Sequence, residues 1–91
     1  MKIVINRCYG GFSVSDEVCK EMGLDYPHQA EEYRTDPKLI ELVETLGEKA
    51  NGSYARLQVV EIPDEATDYY IEDYDGVNTI IYVLDGKLHF A

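Results

Sequence analysis

The sequence is poor in basic residues and in the residues that build metal and disulfide sites. Its 91 residues include eight Lys and Arg against 18 Asp and Glu, with two Cys, two His and no Trp. The formal net charge of −10 repels phosphate backbones and anionic membranes unless a basic patch overrides it, and no two basic residues are adjacent. We therefore predict no direct nucleic-acid partner and no membrane partner.

Motifs of the common metal, cofactor and export classes are also missing. There is no C-x-x-C pair, and the two histidines lie far in sequence from each other and from both cysteines, so we predict no metal. Neither G-x-G-x-x-G nor G-K-[ST] occurs, and we predict no cofactor. The apolar run at the N-terminus is too short for a signal-peptide core. We expect a cytoplasmic protein that keeps both cysteines as thiols.

The apolar content is sufficient for one folded domain. Hydrophobic residues make up 45% of the chain and aromatic residues 11%, and eight of the aromatic residues are Tyr. This length favours a single α+β domain, residues 1–91, with two layers. The predicted order is β-α-α-β-β-β with an extra short C-terminal strand as an alternative, and the sheet is mixed or antiparallel.

Two segments define the predicted core. Residues 2–6 are apolar on both faces, which predicts an interior strand. The principal helix spans 37–50, because Asp36 is a good N-cap, Pro37 suits the first helical position and six apolar residues form one stripe. The stripe comprises Leu39, Ile40, Leu42, Val43, Leu46 and Ala50. A shorter helix is predicted between Ser15 as N-cap and Gly23, and a further strand over 54–62.

The C-terminal third contains two Asp-Gly turns flanked by β-forming residues, which predicts an antiparallel meander. Two-residue turns place Tyr74 opposite Val77, Tyr70 and Phe90 opposite Ile81, and Val83 opposite Leu88. We predict that this side faces the core. The other side, with Tyr69, Ile71, Ile80, Tyr82 and Leu84, is also apolar, and its cover is a second helix layer, a homodimer partner or a ligand.

One candidate ligand site lies where the first strand ends. Its residues are Asn6, Arg7, Cys8, Tyr9, Gly10 and Gly11, with Arg34 joining if the principal helix packs beside that strand. Backbone N–H groups at the two glycines could bind an anion, although a tight turn is the commoner use of such a pair. A catalytic Cys8 would need a base, so a structural thiol is favoured and no catalytic residue is assigned.

A candidate partner site lies in the acidic segment from Glu61 to Asp75, which holds seven carboxylates and no base. Carboxylates interleaved with Tyr can imitate a phosphate backbone towards a basic protein, whereas a solvated acidic surface is the alternative. The candidate residues are Asp64, Glu65, Tyr69, Glu72, Asp73 and Tyr82.

The strings KIVINRCYGGF, RTDPKLIELVETLGEKANGSYARLQVVEIPDE and YDG resemble a family of small uncharacterised proteins of bacteriophages, prophages and some other large viruses. The resemblance spans roughly residues 2–76, and Asn-Arg-Cys-Tyr-Gly-Gly is its most specific string. It implies a viral or prophage origin and supplies no catalytic residue. After Gly76 the sequence departs from the more polar endings of those relatives.

These observations favour a small acidic accessory protein that binds a host protein without catalysis. The alternative is a small-ligand-binding protein or enzyme that uses the Asn6–Gly11 turn with Arg7 and Arg34.

Overall fold

The computed structural model describes residues 1–91 and forms two antiparallel sheets with two α-helices. The elements are β1 Lys2–Asn6, α1 Asp16–Met22, a 3₁₀ helix Pro27–Tyr33, α2 Pro37–Leu46, a 3₁₀ turn Gly47–Ala50, β2 Leu57–Glu61, β3 Asp68–Tyr74, β4 Val77–Leu84 and β5 Lys87–Phe90. The sheets are β1–β2 and β3–β4–β5. The predicted α+β class is confirmed.

Capping residues set the ends of both α-helices. Ser15 and Asp36 each accept a hydrogen bond from a backbone N–H of the first turn, which would otherwise lack a partner. Gly23 ends α1 in the left-handed conformation. α2 ends at Leu46 because Gly47, with φ 58°, interrupts it before one last 3₁₀ turn. The predicted principal helix is therefore an α-helix with a 3₁₀ extension.

β1 is buried from Ile3 to Asn6 although only β2 pairs with it. Groups outside the sheet occupy its other edge. The Val4 N–H donates to the Arg34 backbone oxygen at 2.9 Å, and the Asn6 N–H donates to Asn78 Oδ1 at 2.9 Å. The prediction of an interior strand was therefore wrong about strand neighbours, because a loop carbonyl and a side chain replace the second strand.

β1 separates two apolar clusters because successive side chains of a strand point to opposite faces. Val4 packs in the cluster that contains Val18, Leu39 and Val43, on the helical side. Ile3 and Ile5 pack in the other cluster, with Ile62 and Ile80. The β1–β2 sheet thus lies between the helices and the β3–β4–β5 sheet. The fold has three layers and two sheets where one sheet and two layers were predicted, because the meander stacks on β1 instead of extending its sheet.

The meander has the predicted turns and register. Asp75, Gly76, Asp85 and Gly86 all have positive φ, between 49° and 88°, as two-residue hairpin turns of type I′ require. The opposed pairs are Tyr74 with Val77, Tyr70 with Ile81, Val83 with Leu88 and Ile81 with Phe90, as predicted.

The buried side of the meander is the opposite of the predicted one. Ile80 is fully buried and faces β1, with Tyr69, Ile71 and Tyr82 packed around its cluster. The other side we call the aromatic face; it carries Tyr70, Tyr74, Val77, Ile81, Val83, Leu88 and Phe90. Both sides are apolar, so the pattern could not decide between them. The contact with β1, which is distant in sequence, decides it.

Candidate functional site

Asn6 is the residue on which the loop after β1 is built. Its Oδ1 accepts the N–H of Arg56 at 2.8 Å and that of Cys8 at 3.3 Å. Its Nδ2 donates to the Gly76 oxygen at 2.6 Å and to the Cys8 oxygen at 2.7 Å. The amide therefore joins the loop, the start of β2 and the β3–β4 turn. Because all four of its hydrogen bonds are made within the protein, Asn6 has a structural role.

Asn78 is a second buried amide, which the sequence analysis missed. Its Oδ1 accepts both the Asn6 N–H at 2.9 Å and Arg34 Nη1 at 3.0 Å, while its Nδ2 donates to Asp73 Oδ2 at 3.2 Å. An Asn between β-branched residues is unusual in a strand. This pattern was the feature of the sequence that could have pointed to Asn78. A fully buried amide needs partners, and here those partners come from three different segments.

Arg34 points into the protein. Its side chain is 13% exposed, and its guanidinium also donates to the Val4 oxygen at 3.1 Å and to Glu31 at 3.1 Å. It stacks over the Phe12 ring, 4.7 Å from the ring centroid. Burial lowers the pKa of Arg34, while the Glu31 carboxylate acts in the opposite direction. Arg34 thus cross-links the 3₁₀ helix, β1 and β4.

Arg7 contacts the backbone of Asn78. Its Nη1 donates to the Asn78 backbone oxygen at 3.0 Å, whereas Arg34 contacts the Asn78 side chain. The structure therefore brings Arg7 and Arg34 to one residue. Only Arg7 borders a surface cavity, and there its neighbour is Arg56.

The two glycines of the loop allow close packing. A Cβ on Gly10 would collide with Tyr54, and Gly11 has φ 91°, a conformation that favours glycine. The loop lies against the β3–β4 turn, where a Cβ on Gly76 would be 2.7 Å from the Gly11 Cα. The shallow cavity there, about 520 Å³, also includes the Asp75 carboxylate, which disfavours an anion. This geometry favours the turn explanation for the glycine pair.

Neither thiol has the surroundings of a nucleophile. Cys8 and Cys19 are both half-buried and free, and no hydrogen bond joins either to a histidine. His28 Nδ1 lies 2.7 Å from the Phe12 oxygen, and His89 stacks on Tyr82. No group of three His, Cys, Asp or Glu side chains is placed to hold a metal ion.

All seven carboxylates of the acidic segment are exposed, but three of them have hydrogen-bond partners. Asp68 Oδ1 accepts the Tyr69 N–H at 2.8 Å. Asp64 bonds the Met1 amine at 2.7 Å, which lowers the pKa of that carboxyl. Asp73 accepts the Gly76 N–H at 2.8 Å in addition to its bond from Asn78. Glu65 and Glu72 make no hydrogen bond or ion pair within the protein.

The tyrosines of the meander lie on both of its sides. Tyr69 and Tyr82 are half-buried against the Ile80 cluster, so they contribute to packing. Tyr70 and Tyr74, which were predicted in the core, are 48% and 71% exposed on the aromatic face. Leu88 and Phe90 lie on the same face and are 57% and 68% exposed.

No protein-family model matches the chain, and no curated protein or solved structure matches it either. None of the helices has both the length and the apolar character needed to span a bilayer.

Proposed function

We propose that this protein is a small non-catalytic binding module that docks a basic host protein on the aromatic face. The observation that carries the proposal is the exposure of Tyr70, Tyr74, Leu88 and Phe90 on one side of one sheet. Large apolar side chains clustered on a surface are typical of protein interfaces, and tyrosine is enriched in such interfaces. The buried Ile81 lies between Tyr70 and Phe90 in the register, so these two side chains flank an apolar floor.

Charge defines the kind of partner. Asp68 and Glu72 alternate with Tyr70 and Tyr74 along β3, and the face carries no Lys or Arg. The remaining carboxylates of the Glu61–Asp75 segment are also exposed. A second copy of this chain would bring like charges together, whereas a partner with apolar and basic side chains would complement the face. This distinction favours a different protein over a homodimer through the C-terminal sheet.

The resemblance to phage and prophage proteins supports a host component as that partner, and the cytoplasm of the host cell as the place of action. We propose a non-catalytic role because neither free thiol is hydrogen-bonded to a histidine that could act as its base.

The test uses three immobilised forms of the protein as baits in host lysate. The face variant carries Tyr70→Ser and Phe90→Ser, and the matched control carries Tyr26→Ser and Tyr33→Ser, two exposed tyrosines outside the sheet. Urea unfolding verifies that both variants fold. We expect at least one protein that the wild type and the control retain, that the face variant loses, and that salt releases. The same purified protein must then bind with the same dependence on variant and salt.

Two results would overturn the proposal. One is equal retention by the face variant and the wild type. The other is a stable homodimer by analytical ultracentrifugation that the face variant disrupts, because a second copy would then be the occupant.

A further inference from the structure

Two arginines that are distant in sequence meet at the end of the β1–β2 sheet. The Arg7 N–H donates to the Arg56 backbone oxygen at 2.8 Å, and Arg56 Nη2 lies 3.4 Å from the Arg7 oxygen. Together with Leu57 and Gln58 they line a surface cavity of about 540 Å³. This volume lies within the range of about 300–1,000 Å³ that is typical of small-ligand sites.

Neither arginine has a carboxylate partner, although the chain has 18 acidic residues. The ion pairs of the structure join Asp64 to the N-terminal amine, Glu44 to Lys2 and Glu31 to Arg34. The side chain of Arg7 donates to two neutral acceptors, Gln58 Oε1 at 3.2 Å and the Asn78 oxygen at 3.0 Å. These bonds fix the guanidinium in place without neutralising its charge.

The side-chain polar groups of the cavity are donors. Arg has five N–H groups and no acceptor, and the described bonds use two from Arg7 and one from Arg56. The oxygen of Gln58 is turned to Arg7, which leaves its NH₂ group for another acceptor. Two positively charged guanidinium groups beside an amide donor match the oxygens of a planar or tetrahedral anion.

We propose that the cavity formed by Arg7, Arg56 and Gln58 binds the oxyanion group, a phosphate or a carboxylate, of a small ligand. This site replaces the predicted combination of Arg7 with Arg34, because Arg34 is engaged inside the protein. It is independent of the aromatic face and of the host partner.

The test is titration of ¹⁵N-labelled protein with sodium phosphate and, separately, sodium acetate, with sodium chloride at matched ionic strength as reference. We expect saturable shifts of the amide signals of Arg7 and residues 56–58 with one of the oxyanions, and none with chloride. Stronger binding of phosphate would identify a phosphate-bearing ligand, and stronger binding of acetate a carboxylate-bearing one. Either result supports the site.

Variants locate the effect. Arg56→Gln removes one guanidinium group and should weaken the affinity for the oxyanion about tenfold. The control Lys49→Gln makes the same charge change at an exposed 3₁₀ position and should alter this affinity less than about twofold. Arg56→Lys keeps the charge without the guanidinium group and should give an intermediate affinity. Arg7 is left intact because it also supports Asn78. Absence of saturable binding to either oxyanion, shifts equal to those with chloride, or equal affinities of Arg56→Gln and Lys49→Gln would overturn the proposal.

Discussion

The side-chain oxygen of Asn78 lies 2.9 Å from the backbone nitrogen of Asn6, and this hydrogen bond connects two sheets that share no strand pairing. Without it, the N–H of Asn6 would be buried at the edge of β1 with no partner. The same oxygen accepts from Arg34, so one amide completes the edge of β1 and anchors a nearly buried cation.

Replacing Asn78 with Ala should therefore destabilise the fold by roughly 3 kcal/mol, because a buried N–H and a guanidinium both lose their acceptor. Asn78→Asp keeps the acceptor but brings a second carboxylate to the Asp73 carboxylate, 3.2 Å from the replaced Nδ2, so a loss of stability is expected there as well. Urea unfolding measures both variants, with Thr79→Ala on the same strand as control. Equal stability of Asn78→Ala and Thr79→Ala would show that the amide does not hold the sheets together.

The apolar stripe of α2 is not uniformly buried, and replacing its leucines with alanine should reveal this. Leu39 is fully buried, whereas Leu42 and Leu46 are half-buried. Leu39→Ala should cost on the order of 2–5 kcal/mol, and Leu42→Ala clearly less, because its site already contacts solvent. Chemical denaturation of the two variants gives the comparison. A larger loss at Leu42 would contradict the packing of α2 described above.

These elements differ in how far local sequence determines them. The caps at Ser15 and Asp36 and the Asp-Gly turns depend on neighbouring residues, and they were predicted correctly together with the meander register. The burial of β1 on both faces was predicted from its apolar pattern. Its actual neighbour at one edge, Asn78, is 72 residues from Asn6, and no local pattern indicates such a contact.

In the candidate site, too, some features follow from local sequence and others depend on contacts between distant segments. The Asn6–Gly11 turn was identified because a polar, glycine-containing string follows an apolar strand. The partnership of Arg7 with Arg56 depends on the pairing of β1 with β2, in which Asn6 lies opposite Leu57. That register was not deducible from the two strands separately, so Arg56 was missed and Arg34 was named.

The two Asp-Gly turns offer a matched pair for testing how the loop packs. Gly76 and Gly86 both have positive φ, but only a Cβ on Gly76 would meet other atoms, those of Gly11 and Tyr9. Gly86→Ala should cost about 1–2 kcal/mol from backbone conformation alone. Gly76→Ala should cost roughly 1–3 kcal/mol more, because the loop must move. Equal losses in thermal or urea unfolding would contradict the close contact.

Cys19 should react slowly with iodoacetamide. Burial raises the pKa of its thiol, and the Asp16 carboxylate adds to the effect, so less thiolate is present near neutral pH than in a free cysteine. Because the native thiol holds its proton more tightly, its contribution to stability should decline as the pH rises through and above its ordinary value of 9.0. Mass spectrometry of timed alkylation, with Cys8 in the same chain replaced by Ser, measures the rate. An alkylation rate above that of free cysteine would contradict the raised pKa of the Cys19 thiol.

The last prediction concerns the acidic segment from Glu61 to Asp75. Its exposed carboxylates repel one another, and salt screens this repulsion over a Debye length of roughly 10 Å at 0.1 M. The free energy of unfolding should therefore increase with sodium chloride. The double variant Glu65→Gln, Glu72→Gln removes two carboxylates that make no hydrogen bond or ion pair, so it should be more stable at low salt and gain less from added salt. The control Glu32→Gln, Glu48→Gln makes the same charge change outside the segment. An equal salt response of the two double variants would show that net charge, and not clustering in this segment, governs the effect.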